Sequence, residues 1–121
     1  MIDHVALYVT DIDRSRRFYE QALEPLGYAV ELEMEGFAGF AHEGSLQFAL
    51  RSGKEANTTA HVAFQADDRS AVDAFHAAAT SAGGTDQGRP GVREHYHPSY
   101  YAAFVADPDG NNIEAVCHKP A

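Results

Sequence analysis

The chain contains an approximate copy of part of itself. Placing residues 3–27 over residues 60–84 at a constant offset of 57, without a gap, pairs His4 with His61, Val5 with Val62 and Ala6 with Ala63. The same offset pairs Asp11 with Asp68, Phe18 with Phe75, Ala22 with Ala79 and Gly27 with Gly84. Seven identities in twenty-five positions lie within reach of composition in an alanine-rich chain, but the matched positions also match in structural meaning. A repeat of this kind makes each copy one supersecondary unit and constrains both to one fold. With 121 residues, 45 % of them hydrophobic, the two units are expected to share one core within a single domain, 1–57 and 58–121 being its modules.

Within each copy the order of elements is legible. Residues 2–9 and 61–66 are rich in β-branched and aromatic side chains and read as strands. Asp11 and Asp68 follow, where a short acidic side chain can accept the free N–H groups of a first helical turn. Phe18, Ala22 and Leu23 in residues 14–23, and Val72, Phe75, Ala78 and Ala79 in residues 71–82, recur at helical spacing. Gly27 and the Gly83-Gly84 pair supply the left-handed stop. Residues 28–34, 37–42 and 46–50 then read as three strands turned at Glu35-Gly36 and Glu43-Gly44. The unit is βαβββ. In the second copy residues 101–106 and 112–117 are the clear later strands, joined by Asp107-Pro108-Asp109-Gly110, and about ten extra residues are expected between Gln87 and Ser99. The fold class is therefore α+β, with two modules forming a concave mixed sheet.

Nine Lys and Arg against eighteen Asp and Glu leave a net charge of −9, which excludes a nucleic-acid partner because phosphate backbones need clustered positive charge. The lone Cys117 cannot form an intrachain disulfide, no basic and apolar leader opens the sequence, and no apolar run approaches the roughly 20 residues of a membrane span. A cytoplasmic protein without a membrane partner is the expectation.

The last strands align at an offset of 67, which lays Gln47 over Glu114. Approximate two-fold symmetry would then bring His4, His61, Gln47 and Glu114 toward one axis. Two imidazoles and a carboxylate leave positions open on a divalent ion such as Fe, Mn, Ni, Co or Zn, and Gln47 is a conditional fourth ligand through its amide oxygen. Glu114 stands among apolar Ile113, Ala115 and Val116, where a carboxylate is costly without a cation.

The segments Asp3-His4-Val5-Ala6-Leu7, Arg17-Phe18-Tyr19, His61-Val62-Ala63-Phe64 and, above all, Asp107-Pro108-Asp109-Gly110-Asn111-Asn112-Ile113-Glu114 resemble the vicinal oxygen chelate superfamily. That family comprises glyoxalases, bleomycin-resistance proteins and extradiol dioxygenases, and the resemblance covers nearly the whole chain. It implies a glyoxalase-like fold, a homodimer, and a metal held by His4, His61 and Glu114. Gln47 departs from the Glu usual in glyoxalase I, so the resemblance does not extend to that activity.

The segment 93–101, Arg-Glu-His-Tyr-His-Pro-Ser-Tyr-Tyr, lies within the expected insertion. It has two readings: a cavity mouth, or packing between subunits. In the first, Arg93 with Tyr96 and Tyr101 binds substrate, Arg93 taking an anionic group, while His95, His97 or Tyr100 moves protons beside Glu114. His42, His76 and His118 read as surface or helix residues, Cys117 as a small packed residue, and Arg14, Arg16 and Arg17 as a solvated helix face. The functional expectation is a divalent-metal-dependent glyoxalase-like enzyme, a lyase or isomerase acting on a small oxygen-chelating substrate. Its rivals are a metal-free small-molecule or antibiotic binder of the bleomycin-resistance type, and an extradiol dioxygenase-like or thiol-transferase-like metalloenzyme.

Overall fold

The computed structural model describes residues 1–53, 55–56 and 60–121. The expected boundary between modules, at residues 57 and 58, lies outside the described residues. The first module runs β1 (Val5–Val9), α1 (Ile12–Leu23), β2 (Tyr28–Met34), β3 (Phe37–His42) and β4 (Ser45–Ser52). The second runs β5 (His61–Gln65), α2 (Arg69–Ser81), β6 (Thr85–Val92), β7 (Tyr101–Ala106) and β8 (Asn112–Cys117). Each gives a four-stranded mixed sheet, in the order β1-β4-β3-β2 and β5-β8-β7-β6. The first strand pairs parallel with the fourth, and the other pairs are antiparallel.

Both helices begin where the sequence places a cap. The Asp11 carboxylate accepts the Arg14 N–H at 3.1 Å, and Asp68 accepts that of Ala71 at 2.8 Å. A 3-10 turn, Glu24–Leu26, closes α1, and Gly27 follows at φ 88°, a conformation that costs a residue without Cβ little.

Alternation along the strands sorts the side chains onto two faces. Leu7, Val9, Phe48, Leu50, Phe64, Val105, Ile113 and Ala115 face inward and join Phe18, Tyr19, Leu23, Val72, Phe75 and Ala79 of the helices in one buried cluster. The two modules thus meet through their helical sides. Phe48 and Phe64, from different sheets, stack edge to face at 5.2 Å, and α1 packs on α2. β1 and β5 each stand at the end of a sheet. No described helix is long and apolar enough to cross a membrane.

The segment Asp107–Asn111 is a structural knot. Buried Asp107 accepts hydrogen bonds from Tyr19 Oη at 2.6 Å, from the Asn111 and Asp109 N–H groups at 2.8 and 2.9 Å, and from Asn111 Nδ2 at 3.0 Å. Asn111 Oδ1 accepts the Ala60 N–H, and Asp109 binds Thr10. One turn therefore ties β7 and β8 to the first helix and to the start of β5.

Candidate active site

The faces turned away from the helices carry the chemistry. On the second sheet, Ala63 lies opposite Glu114 and His61 stands two residues before Ala63, so the His61 and Glu114 side chains share the outer face. His61 Nε2 and Glu114 Oε1 are 2.8 Å apart. The Glu114 carboxylate is only 2 % exposed, because the loop 93–100 covers it and Tyr100 Oη donates to Oε2 at 2.5 Å. Burial first, and then that bond, push the Tyr100 hydroxyl up to about 12, so it is a donor at neutral pH.

The loop is held from within. Arg93 N–H donates to the Tyr100 carbonyl at 2.7 Å, and Tyr96 N–H to that of Arg93 at 3.0 Å. His97 Nδ1 accepts the Ser99 N–H at 3.0 Å, which leaves its proton on Nε2, pointing at His118 Nδ1 2.9 Å away. Tyr100 packs against both rings, and exposed Tyr96 stacks between His95 and Tyr100 at 4.2 and 4.8 Å. His118 is thus a buttress of the loop, joined to it across the end of β8, a role that its position beyond the last strand did not announce.

Arg93 Nη1 and Nη2 donate to the Gly91 and Arg89 carbonyls, both at 2.8 Å, with the guanidinium over Phe104. Its main work is to brace the irregular strand β6. Tyr101 faces the helix side, where its hydroxyl donates to Asp73 of α2 at 2.6 Å; it does not share the outer face with His61.

His4 lies on the outer face of the other sheet. Its Nδ1–H points to Asp3 Oδ1 at 2.7 Å, leaving the Nε2 lone pair free to bind. It borders a hollow of about 300 Å³ with Ala6, Leu46, Ala49, Phe37 and Arg51. Among the described residues no three His, Cys, Asp or Glu side chains meet as a metal-binding group within the chain, so His61 and Glu114 are brought together and His4 is not.

Gln47 is elsewhere. Val5 lies opposite Phe48, and the matching Val62 opposite Ile113, so the residue that matches Glu114 is Ala49, not Gln47 as the offset of 67 implied. A bulge between Phe40 and Ala41 on β3 leaves Gln47 unopposed, and its amide oxygen accepts the Tyr28 hydroxyl at 3.0 Å. There it borders a second hollow of about 760 Å³, lined also by Tyr28, Phe48 and Phe64 and, on its other side, by Asp3 and His61.

Comparison with known proteins agrees with this architecture. A family model described as the Glyoxalase/Bleomycin resistance protein/Dioxygenase superfamily matches residues 1–115. The chain is similar to a glyoxalase/bleomycin resistance protein from Albidiferax ferrireducens T118, at 29 % identity over 99 % of both chains and a TM-score of 0.86. It shares its fold with a glyoxalase/bleomycin resistance protein/dioxygenase family enzyme from Burkholderia phytofirmans PsJN, at 21 % identity, 97 % and 98 % coverage and a TM-score of 0.76. A glyoxalase-related enzyme from Fulvimarina pelagi, 19 % identical over 97 % of this chain and 87 % of that one, also has the fold at a TM-score of 0.76. No curated protein matches the chain.

Proposed function

Because the chain belongs to the Glyoxalase/Bleomycin resistance protein/Dioxygenase superfamily, and because its outer faces carry His4, His61 and Glu114, we propose that it is a divalent-metal-dependent enzyme of glyoxalase-like type, acting on a small oxygen-bearing substrate as a homodimer. The observation that carries this reading is the His61–Glu114 pair, a 2.8 Å contact around a carboxylate almost wholly removed from water. A buried carboxylate beside an imidazole supplies two of the donors that a divalent ion takes.

The third donor comes from a second copy. A two-fold pairing that sets β1 of one copy beside β5 of the other would bring His4 of the first to His61 and Glu114 of the second. The two sheets would then form one concave surface, with two sites per dimer. The places of β1 and β5 at the ends of their sheets support this, as does the joining of one chain's own sheets through their helices.

The residues present fit a divalent ion: two imidazole nitrogens, one carboxylate, and Asp3 orienting His4 from behind. When bound, such an ion polarises substrate oxygens and stabilises negative charge that develops on them. Around it the chain's own groups handle the proton. Glu114 takes it from the substrate, and the protonated Tyr100 hydroxyl holds the carboxylate in place.

A second reading is favoured by one specific contact set. Both oxygens of Glu114 already have partners, His61 and Tyr100, so the site is also satisfied as the floor of a metal-free binding cleft. Metal analysis separates the two. Protein purified without added metal and then titrated should take up about one equivalent per chain, and His4→Ala, His61→Ala and Glu114→Gln should each weaken binding by roughly a hundredfold. Less than about a tenth of an equivalent, with no uptake on titration, sinks the enzyme reading and leaves the binding protein.

A further inference from the structure

We propose that the substrate of this site carries an anionic group and that Arg51 of β4 binds it; this rests on the metal reading above and names its substrate class. Arg51 lies opposite Tyr8 in the β1–β4 register, on the same outer face as His4, and both border the one hollow of about 300 Å³. That volume is at the small end of ligand sites and suits a compact metabolite.

Arg51 has no carboxylate within ion-pairing distance among the described residues, in a chain where eighteen acidic residues face nine basic ones. An arginine unpaired in such surroundings leaves its planar donor fork available for a carboxylate or phosphate. Its guanidinium rests over the Phe37 ring at 5.2 Å, which limits the rotamer freedom lost when an anion binds. Arg93, over Phe104 of the second sheet, differs because two of its donors are spent on backbone carbonyls.

The floor between the two ends is built of small residues. Ala6 and Ala49 pair on β1 and β4, and Gly39 lies next to Ala49 on β3. A Cβ on Gly39 would stand 2.7 Å from Leu46 Cδ1 and 3.3 Å from Phe37 Cε1, so those two side chains would have to give way to it. Because Ala49 occupies the place that Glu114 holds in the other module, no ligand or charge stands between His4 and Arg51. Tyr8, the partner of Arg51, stands four residue steps beyond His4, roughly 13 Å along the strand. A molecule with chelating oxygens at one end and an anion at the other spans that distance as the two side chains close on it.

Monohydroxamates of α,ω-dicarboxylic acids, from succinic to suberic, test this, since the hydroxamate chelates and the far carboxylate is the anion. Their affinity for the cobalt(II)-loaded protein is followed by the visible spectrum of the metal, beside that of their methyl esters. The free acid of at least one length should bind about tenfold or more tighter than its ester, the size of one charge-assisted contact. In Arg51→Gln the acid should fall to the ester's affinity with cobalt content unchanged, Arg51→Lys should keep part of the preference, and Arg16→Gln should keep all of it. Equal affinities of acid and ester at every length, or a preference that survives in Arg51→Gln, overturns the role of Arg51 while leaving the metal site intact. Failure to take up cobalt overturns the metal reading, and this inference with it.

Discussion

Asp3 is a small residue with a specific consequence. Its carboxylate accepts the Nδ1–H of His4 at 2.7 Å, and so decides which nitrogen is left to bind. Asp3→Ala should therefore weaken metal affinity by roughly tenfold, whereas Asp3→Asn, which keeps an acceptor, should lose less; competition with a chelator measures both. At this scale the sequence was informative about identity and poor about company. His4, His61 and Glu114 could be singled out because the repeat gives two of them equivalent places. Asp3, Arg51 and His118 could not, because nothing in a sequence says that a neighbour's carboxylate turns back, or that a residue past the last strand closes over a loop. Gln47 was misaligned for a related reason. A bulge inserts a residue without changing composition, and only the strand register reveals that Ala49 is the match of Glu114.

Elements with strong alternation or helical period were readable, and β2, β3, β7 and β8 fall on the expected residues. β6 was not. Thr85 to Val92 holds two glycines and a proline, and its pairing with β7 shifts register twice. Such a strand survives only at an edge, where a missing N–H costs no ladder bond. Two capping details carry measurable consequences. The Ser70 hydroxyl first, then the Ala71 N–H, hold the Asp68 carboxyl below its usual value. The charged cap therefore adds stability above the ordinary carboxylate range and loses it as pH falls through the lowered value. Asp68→Asn keeps the acceptor without the charge, so its stability should fall less steeply than the parent's as pH drops below the ordinary carboxylate range in denaturant melts. In the β7–β8 turn, Asp107→Ala strips four donors of their acceptor, Tyr19 Oη among them. It should cost about 3 kcal/mol in urea unfolding, and Tyr19→Phe about 1 kcal/mol.

At the scale of the whole molecule, quasi-symmetry told which positions are equivalent, but not whether they meet inside one chain. Sequence similarity between modules is blind to whether a module completes its site with its own neighbour or with another copy. Here the helices join the two sheets of a chain back to back, and the outer faces look elsewhere. The shared-site reading makes a sharp prediction. His4→Ala and Glu114→Gln homodimers should each bind metal poorly, but mixing them through a denaturation and refolding cycle should restore one good site in each mixed dimer. Metal titration of the mixture reads it, and a mixture as poor as its components would mean that both groups act within one chain.

The outer edge of β1 bears on more than assembly. Val-Ala-Leu-Tyr-Val carries no charge and no proline, and it stands at the edge of its sheet. An edge of that composition is a template for indiscriminate β-pairing. Dissociation of the pair would then expose an aggregation-prone segment, and the protein's solubility, no less than its chemistry, would depend on keeping that strand covered.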